Sequence, residues 1–86
     1  MASYRLLIKS SAARELEALP RKDCSRIAAK IEGLADHPRP PGSERLSGEE
    51  KYRLRQGDYR VLYSIQDASS TVTVVKIGHR REVYRR

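Results

Sequence analysis

The sequence predicts an α+β domain of order β-α-α-β-β-β, in which an N-terminal strand and a helical hairpin pack on one face of a small, mainly antiparallel sheet. Three observations lead there. Apolar residues recur at three- and four-residue spacing between residues 12 and 35, the period falls to two from Lys51 onward, and the proline-rich HPRPPG of residues 37–42 separates the two regimes. The 86 residues suit a single domain, 1–86, with a core that is small but sufficient.

Tyr4, Leu6 and Ile8 alternate with Arg5, Leu7 and Lys9, the pattern of a first strand with one strongly buried face. Ser10 and Ser11 offer N-cap oxygens to AARELEAL, whose Ala12, Leu16 and Leu19 fall on one helical stripe. Pro20 ends that helix and suits the first turn of the next, where its missing N–H costs nothing. Over about 21–36, Cys24, Ile27, Ala28, Ile31, Leu34 and Ala35 line one face of a second helix, and the short joint folds the two into a hairpin. HPRPPG cannot continue a helix and forms a stiff connection.

Tyr52 and Leu54 then alternate with Arg53 and Arg55, and Tyr59, Val61, Tyr63 and Ile65 with Arg60, Leu62 and Ser64. Gly57-Asp58 between them suits a two-residue hairpin loop. DASS, residues 67–70, marks a further turn, and the β-branched TVTVVKI, residues 71–77, completes a meander.

Charge is unevenly spread. The net charge is +7, yet residues 1–50 hold 9 basic and 8 acidic side chains while residues 51–86 hold 9 basic and 3 acidic. A field so localised favours phosphate polymers as partners, though charge alone equally suits a solubilising surface. One cysteine excludes a disulfide framework, and MASYRLLIKSS carries neither a signal-peptide pattern nor a membrane span, so a cytoplasmic protein without a membrane partner is expected. No Cys or His cluster argues for a metal, and no glycine-rich phosphate loop for a nucleotide cofactor. Cys24 lies on the apolar stripe, which assigns it to packing.

The hairpin sharpens the argument. With Gly57-Asp58 as the loop, Leu54 faces Val61, Tyr52 faces Tyr63, Arg53 faces Leu62 and Arg55 faces Arg60. Tyr52, Leu54, Val61 and Tyr63 then share the covered face, while Arg53, Arg55 and Arg60 stand with Leu62 on the open one. Like charges directly opposite repel, and a bound phosphate would reverse that sign by accepting paired hydrogen bonds from the guanidinium groups. The alternative is that the arginines splay into water with their stems over Leu62. Beyond the third meander strand, Gly78 would let His79 and Arg80 turn back over the open face, followed by Arg81 and Tyr84. By intrinsic pKa His79 is the best acid or base in the chain, although a histidine in a basic tail is commonly only solvated. Tyr84 either stacks on a base or anchors the C-terminus.

YRLRQGDYRVLY followed by VVKIGHRREVYRR, with an opening of the type YRLLIKSSAARELEALP, resembles bacterial RelE/ParE-superfamily toxins, and in particular the RelE branch. The resemblance implies a RelE-like fold and a metal-independent, ribosome-dependent endoribonuclease that cleaves messenger RNA and is restrained by a cognate antitoxin. It implies no cofactor. On its motifs, Arg60, Arg80, Tyr84 and His79 are the candidate catalytic residues, and Arg53, Arg55, Lys51 and Arg81 the candidate substrate-binding ones. Where relatives often carry lysines this chain has Arg53 and Arg55, whose permanently charged guanidinium groups suit holding phosphates better than taking protons. Proton transfer is then expected of His79 or Tyr84. Two other functions fit the same features: a ParE-like toxin that inhibits DNA gyrase, or a basic RNA-binding module without catalysis.

Overall fold

The structure, a computed structural model, describes residues 3–46 and 50–83. Its elements run β1 (Arg5–Ile8), α1 (Ser10–Glu17), α2 (Arg21–Gly33), β2 (Glu44–Arg45), β3 (Lys51–Gln56), β4 (Tyr59–Gln66) and β5 (Thr71–His79). The strands form one sheet of order β1-β5-β4-β3-β2. The predicted α+β order holds, with a two-residue strand added at the β3 edge.

α1 begins one or two residues earlier than the serines suggest. Lys9 is the N-cap, without a side-chain capping bond, and Ser10 and Ser11 lie inside the helix. α2 starts directly after Pro20 and ends at Gly33, after which Leu34 and Ala35 close a last turn through bonds to Ile31 and Glu32 carbonyls. Its stripe delivers Ile27, Ile31 and Leu34 to the core, where Ala12 of α1 joins them. From the sheet come Leu54, Val61, Tyr63, Ile65, Val72, Val74 and Ile77, all buried. Their alternation along β3, β4 and the first half of β5 is the direct result of the period of two, since burying one face stabilises the sheet by about 25 cal/mol per Å² of apolar surface.

β1 pairs in parallel with β5, Leu6 beside Val72 and Ile8 beside Val74. Because β1 is an edge strand, its inner face is covered only in part. Leu6 is half-buried, and Leu7 and Ile8 stay 45% and 40% exposed, so the strongly buried face expected of this strand does not form.

β4 and β5 pair antiparallel with one interruption. Leu62 faces Lys76 and Tyr63 faces Val74, leaving Val75 as an extra residue in a bulge. The stiff connection is tied down by Arg39. Its guanidinium donates to both carboxylate oxygens of Asp67 (2.8 and 3.3 Å), its Nε donates to the Tyr52 hydroxyl at 3.0 Å, and the Tyr4 hydroxyl donates to Asp67 at 2.7 Å. Beneath this clasp the Tyr63 hydroxyl donates to the Pro38 carbonyl at 2.8 Å, and its ring stacks on Tyr52 with centroids 5.7 Å apart.

Candidate nucleic-acid interface

The β3–β4 hairpin has the expected register in full: Arg55 opposite Arg60, Leu54 opposite Val61, Arg53 opposite Leu62 and Tyr52 opposite Tyr63. Gly57, at φ +59°, takes the first loop position, where a II′-type turn requires a positive φ. Alternation therefore sets Lys51, Arg53, Arg55 and Arg60 on the face turned away from the helices, while Leu54 and Val61 go under them.

The charged groups on this face are less unopposed than the sequence suggests. Arg60 folds along the hairpin end, its Nη1 donating to the carbonyls of Gly57 (2.9 Å) and Tyr59 (2.8 Å). Arg53 and Arg55 share an acid. β2 pairs with β3 so that Glu44 faces Arg53, and antiparallel partners project to one side. The Glu44 carboxylate accepts a hydrogen bond from Arg53 Nη2 and lies 3.6 Å from Arg55 Nη2. The Arg53 bond and charge, with smaller contributions from Arg55 and Arg60, hold its carboxyl below the usual range. Sequence reasoning missed Glu44 because a two-residue strand has no readable period; the only local signal is an acid just after the PPG turn.

Arg80 joins this surface through the hairpin loop. Its backbone N–H donates to the Asp58 carbonyl at 2.7 Å, and its Nε lies 3.7 Å from Asp58 Oδ1. Opposite Arg60 on β5 stands Gly78, with Val83 packed beside it: a Cβ there would meet Val83 atoms at 3.7 Å, an ordinary van der Waals contact. Val83 is held in place by a turn in which the N–H groups of Glu82 and Val83 both donate to the His79 carbonyl. Arg81 is exposed on that turn, and its N–H donates to His79 Nδ1 at 3.2 Å.

His79 does not turn back over the arginines. Gly78 stays in the strand and His79 continues it, paired with Tyr59, so alternation points its ring toward the helical side. There it meets the Tyr59 ring edge-on at 6.0 Å. Both border a cleft of about 600 Å³ that also involves Glu15 and Leu19 near the end of α1, and Glu82. The sheet separates His79 from Arg55 and Arg60. Tyr84 lies outside the described residues.

This arrangement can hold anions. Guanidinium groups present forked donors that match phosphate oxygens, and at neutral pH they do not accept protons. Among the described residues no group of three or more His, Cys, Asp or Glu side chains offers a metal seat, and no helix is long and apolar enough to cross a membrane.

Comparison with known proteins adds to this geometry. Residues 6–84 match the family described as the ParE toxin of type II toxin–antitoxin system, parDE. The chain is 34% identical over 84 residues to the toxin RelE of Mycobacterium tuberculosis, covering 95% of this chain and 87% of that protein. It is 31% identical over 87 residues to the toxin RelG of the same organism, covering 96% and 98%. The toxin chain in the crystal structure of the archaeal RelE–RelB complex from Pyrococcus horikoshii OT3 superposes with a TM-score of 0.83 at 28% identity, covering 94% of this chain and 99% of that one. In the RelBE2 toxin–antitoxin complex of M. tuberculosis the figures are 0.79 and 28%, with coverage of 91% and 99%.

Proposed function

The chain belongs to the ParE toxin family of type II toxin–antitoxin systems, and from that premise we propose that it is a metal-independent endoribonuclease, cutting messenger RNA on the ribosome. The observation that carries this reading is the assembly of Arg53, Arg55 and Arg60 on one open face, with Arg80 bonded to the hairpin loop beside them. The RelE and RelG relatives, above 30% identity over nearly the whole chain, support the same branch.

In the proposed reaction a ribose 2′-oxygen attacks the adjacent 3′ phosphorus. The 2′-hydroxyl proton departs, the bond from phosphorus to the 5′-oxygen breaks, and that oxygen takes up a proton, leaving a 2′,3′-cyclic phosphate and a free 5′-hydroxyl. The doubly charged phosphorane is the species that needs help, and fixed guanidinium groups supply it without reorganising. Arg60 and Arg80 stabilise that charge. Lys51, Arg53, Arg55 and Arg81 hold flanking phosphates. His79, on the other side of the sheet, is not in this group, so proton transfer falls to Tyr84 or to groups the ribosome contributes.

Toxins of solved complexes in this family are bound to antitoxins, RelB in the archaeal case. A cognate antitoxin is accordingly the expected partner here, an acidic and flexible segment able to cover the basic face or wrap the helices. Action on ribosomes makes the cytoplasm its working place, and the whole chain serves as one domain.

The test supplies antitoxin-free protein to ribosomes carrying defined messages and maps new 5′ ends, with Arg60→Ala and Arg80→Ala alongside. Discrete cuts by the wild type, lost in both variants, are expected. Uncut message with folded protein rejects the nuclease; if induced cells then filament with a DNA-damage response, the ParE-like reading replaces it. Variants that cut as well as wild type would reject the site.

A further inference from the structure

We propose that the Glu44 carboxylate occupies the seat of one RNA phosphate, so that RNA binds by exchanging one anion for another between Arg53 and Arg55. This deepens the nuclease reading and rests on it.

The argument starts from where the acid is anchored. Glu44 is part of the sheet, its backbone paired beside Arg53 and followed at once by the Leu46 N–H donating to the Lys51 carbonyl at 2.8 Å. A single carboxylate oxygen, Oε1, reaches both guanidinium groups: it accepts from Arg53 Nη2 and lies 3.6 Å from Arg55 Nη2. An anionic oxygen bridging two guanidinium groups is the contact a phosphodiester oxygen would make there. Carboxylate and phosphodiester each carry one negative charge, so their exchange leaves the local charge balance unchanged.

The setting permits the exchange. The Glu44 and Arg55 side chains are 52% and 60% exposed, so a polymer can reach the pair and the released carboxylate can find water, whereas Arg53, at 24%, is the more fixed anchor. The other candidate residues are engaged differently. Asp58 lies beside Arg80, and Arg60 is held by backbone carbonyls. Glu44 thus works as an internal competitor: it keeps two arginines side by side when RNA is absent and weakens RNA binding by the contact that must be given up.

The test measures binding without cleavage. A labelled deoxyuridine oligomer, which lacks the 2′-hydroxyl, is titrated with wild type, Glu44→Gln and Glu17→Gln over a range of salt concentrations. Glu17 is exposed at the end of α1 and makes the same charge change elsewhere. Glu44→Gln should bind about tenfold more tightly near 0.1 M salt, with a logarithmic salt dependence steeper by about 0.7. Glu17→Gln should move affinity by less than about twofold, and the Glu44→Gln gain should shrink in an Arg55→Gln background. Glu44→Ala, checked by melting, serves equally if the glutamine variant is unfolded.

Unchanged or weaker binding by a folded Glu44 variant overturns the proposal, as does an equal gain from Glu17→Gln. If the wild type cuts messages on ribosomes while Glu44 variants bind no better, this inference alone falls. If it neither cuts nor binds, both readings fall.

Discussion

The two faces of the β3–β4 hairpin come from the same fourteen or so residues of chain and share almost nothing else. Toward the helices stand Leu54, Val61 and Tyr63, all nearly or wholly out of water. On the other side stand Arg53, Arg55 and Arg60, with Glu44 between the first two. Odd and even positions of each strand therefore answer to different demands, folding on one side and, in the function proposed above, anion binding on the other. Because the strand period is two, the division is strict, and substitutions on the two faces should separate in what they damage.

The strongest way to break the comparison is to cut into the covered face. Ile27→Ala, in the centre of α2 and fully buried, should cost about 2–5 kcal/mol in denaturant unfolding, while the cutting rate per folded molecule stays at the wild-type level. Arg60→Ala is its mirror image. It should slow cleavage by about 100-fold or more and lower stability by only about 1 kcal/mol, through the two carbonyl contacts at the hairpin end. If Ile27→Ala impairs the chemistry of folded molecules, or Arg60→Ala mainly unfolds the protein, the two faces are not separate.

Gly57→Ala probes the link between them. A Cβ there meets nothing within 4 Å, so the expected loss of about 1–2 kcal/mol comes from the positive φ alone. Since the loop holds Arg60 and Arg80, cleavage should fall along with the unfolding midpoint.

The smallest effect is expected at the rim, at the Arg39–Asp67 clasp. Arg39, then Tyr4, hold the Asp67 carboxyl below its usual range through hydrogen bonds. A carboxyl with a depressed folded pKa stabilises fully above the unfolded value of about 3.9 and loses that contribution as pH falls through the folded one. Asp67→Asn should therefore melt slightly below wild type at pH 7, and the gap should close in the acid range beneath about pH 3.9. A gap that persists at lower pH would show that the clasp acts by shape and not by charge.

Much of this molecule was legible in its sequence. A long run with period two, a Gly-Asp loop and β-branched neighbours leave one register for the hairpin, and the register Arg55 to Arg60 is the one found. The α2 stripe was equally plain, since Ile27, Ile31 and Leu34 repeat at helical spacing. What escaped notice depended on distant partners. β2 is two residues long and exists because β3 offers it an edge, so Glu44 among the arginines had no pattern to announce it. The exposure of Ile8 follows from the edge position of β1, which a pattern of alternation does not reveal. His79 was misplaced for a different reason. Its glycine neighbour suggested a reversal, yet Gly78 stays in β5 opposite Arg60 and the chain turns only after His79.

The Val75 bulge sets a further condition on all of this. Val72 and Val74 point inward, and an uninterrupted ladder would send Lys76 and Gly78 after them, driving an ammonium group into the core and swinging the imidazole out beside Arg60. The single surplus residue resets the strand's phase, so that Ile77 seals the interior and the imidazole is carried to the far side. Which chemistry each surface of this protein can offer is thus decided by a one-residue miscount between two neighbouring strands.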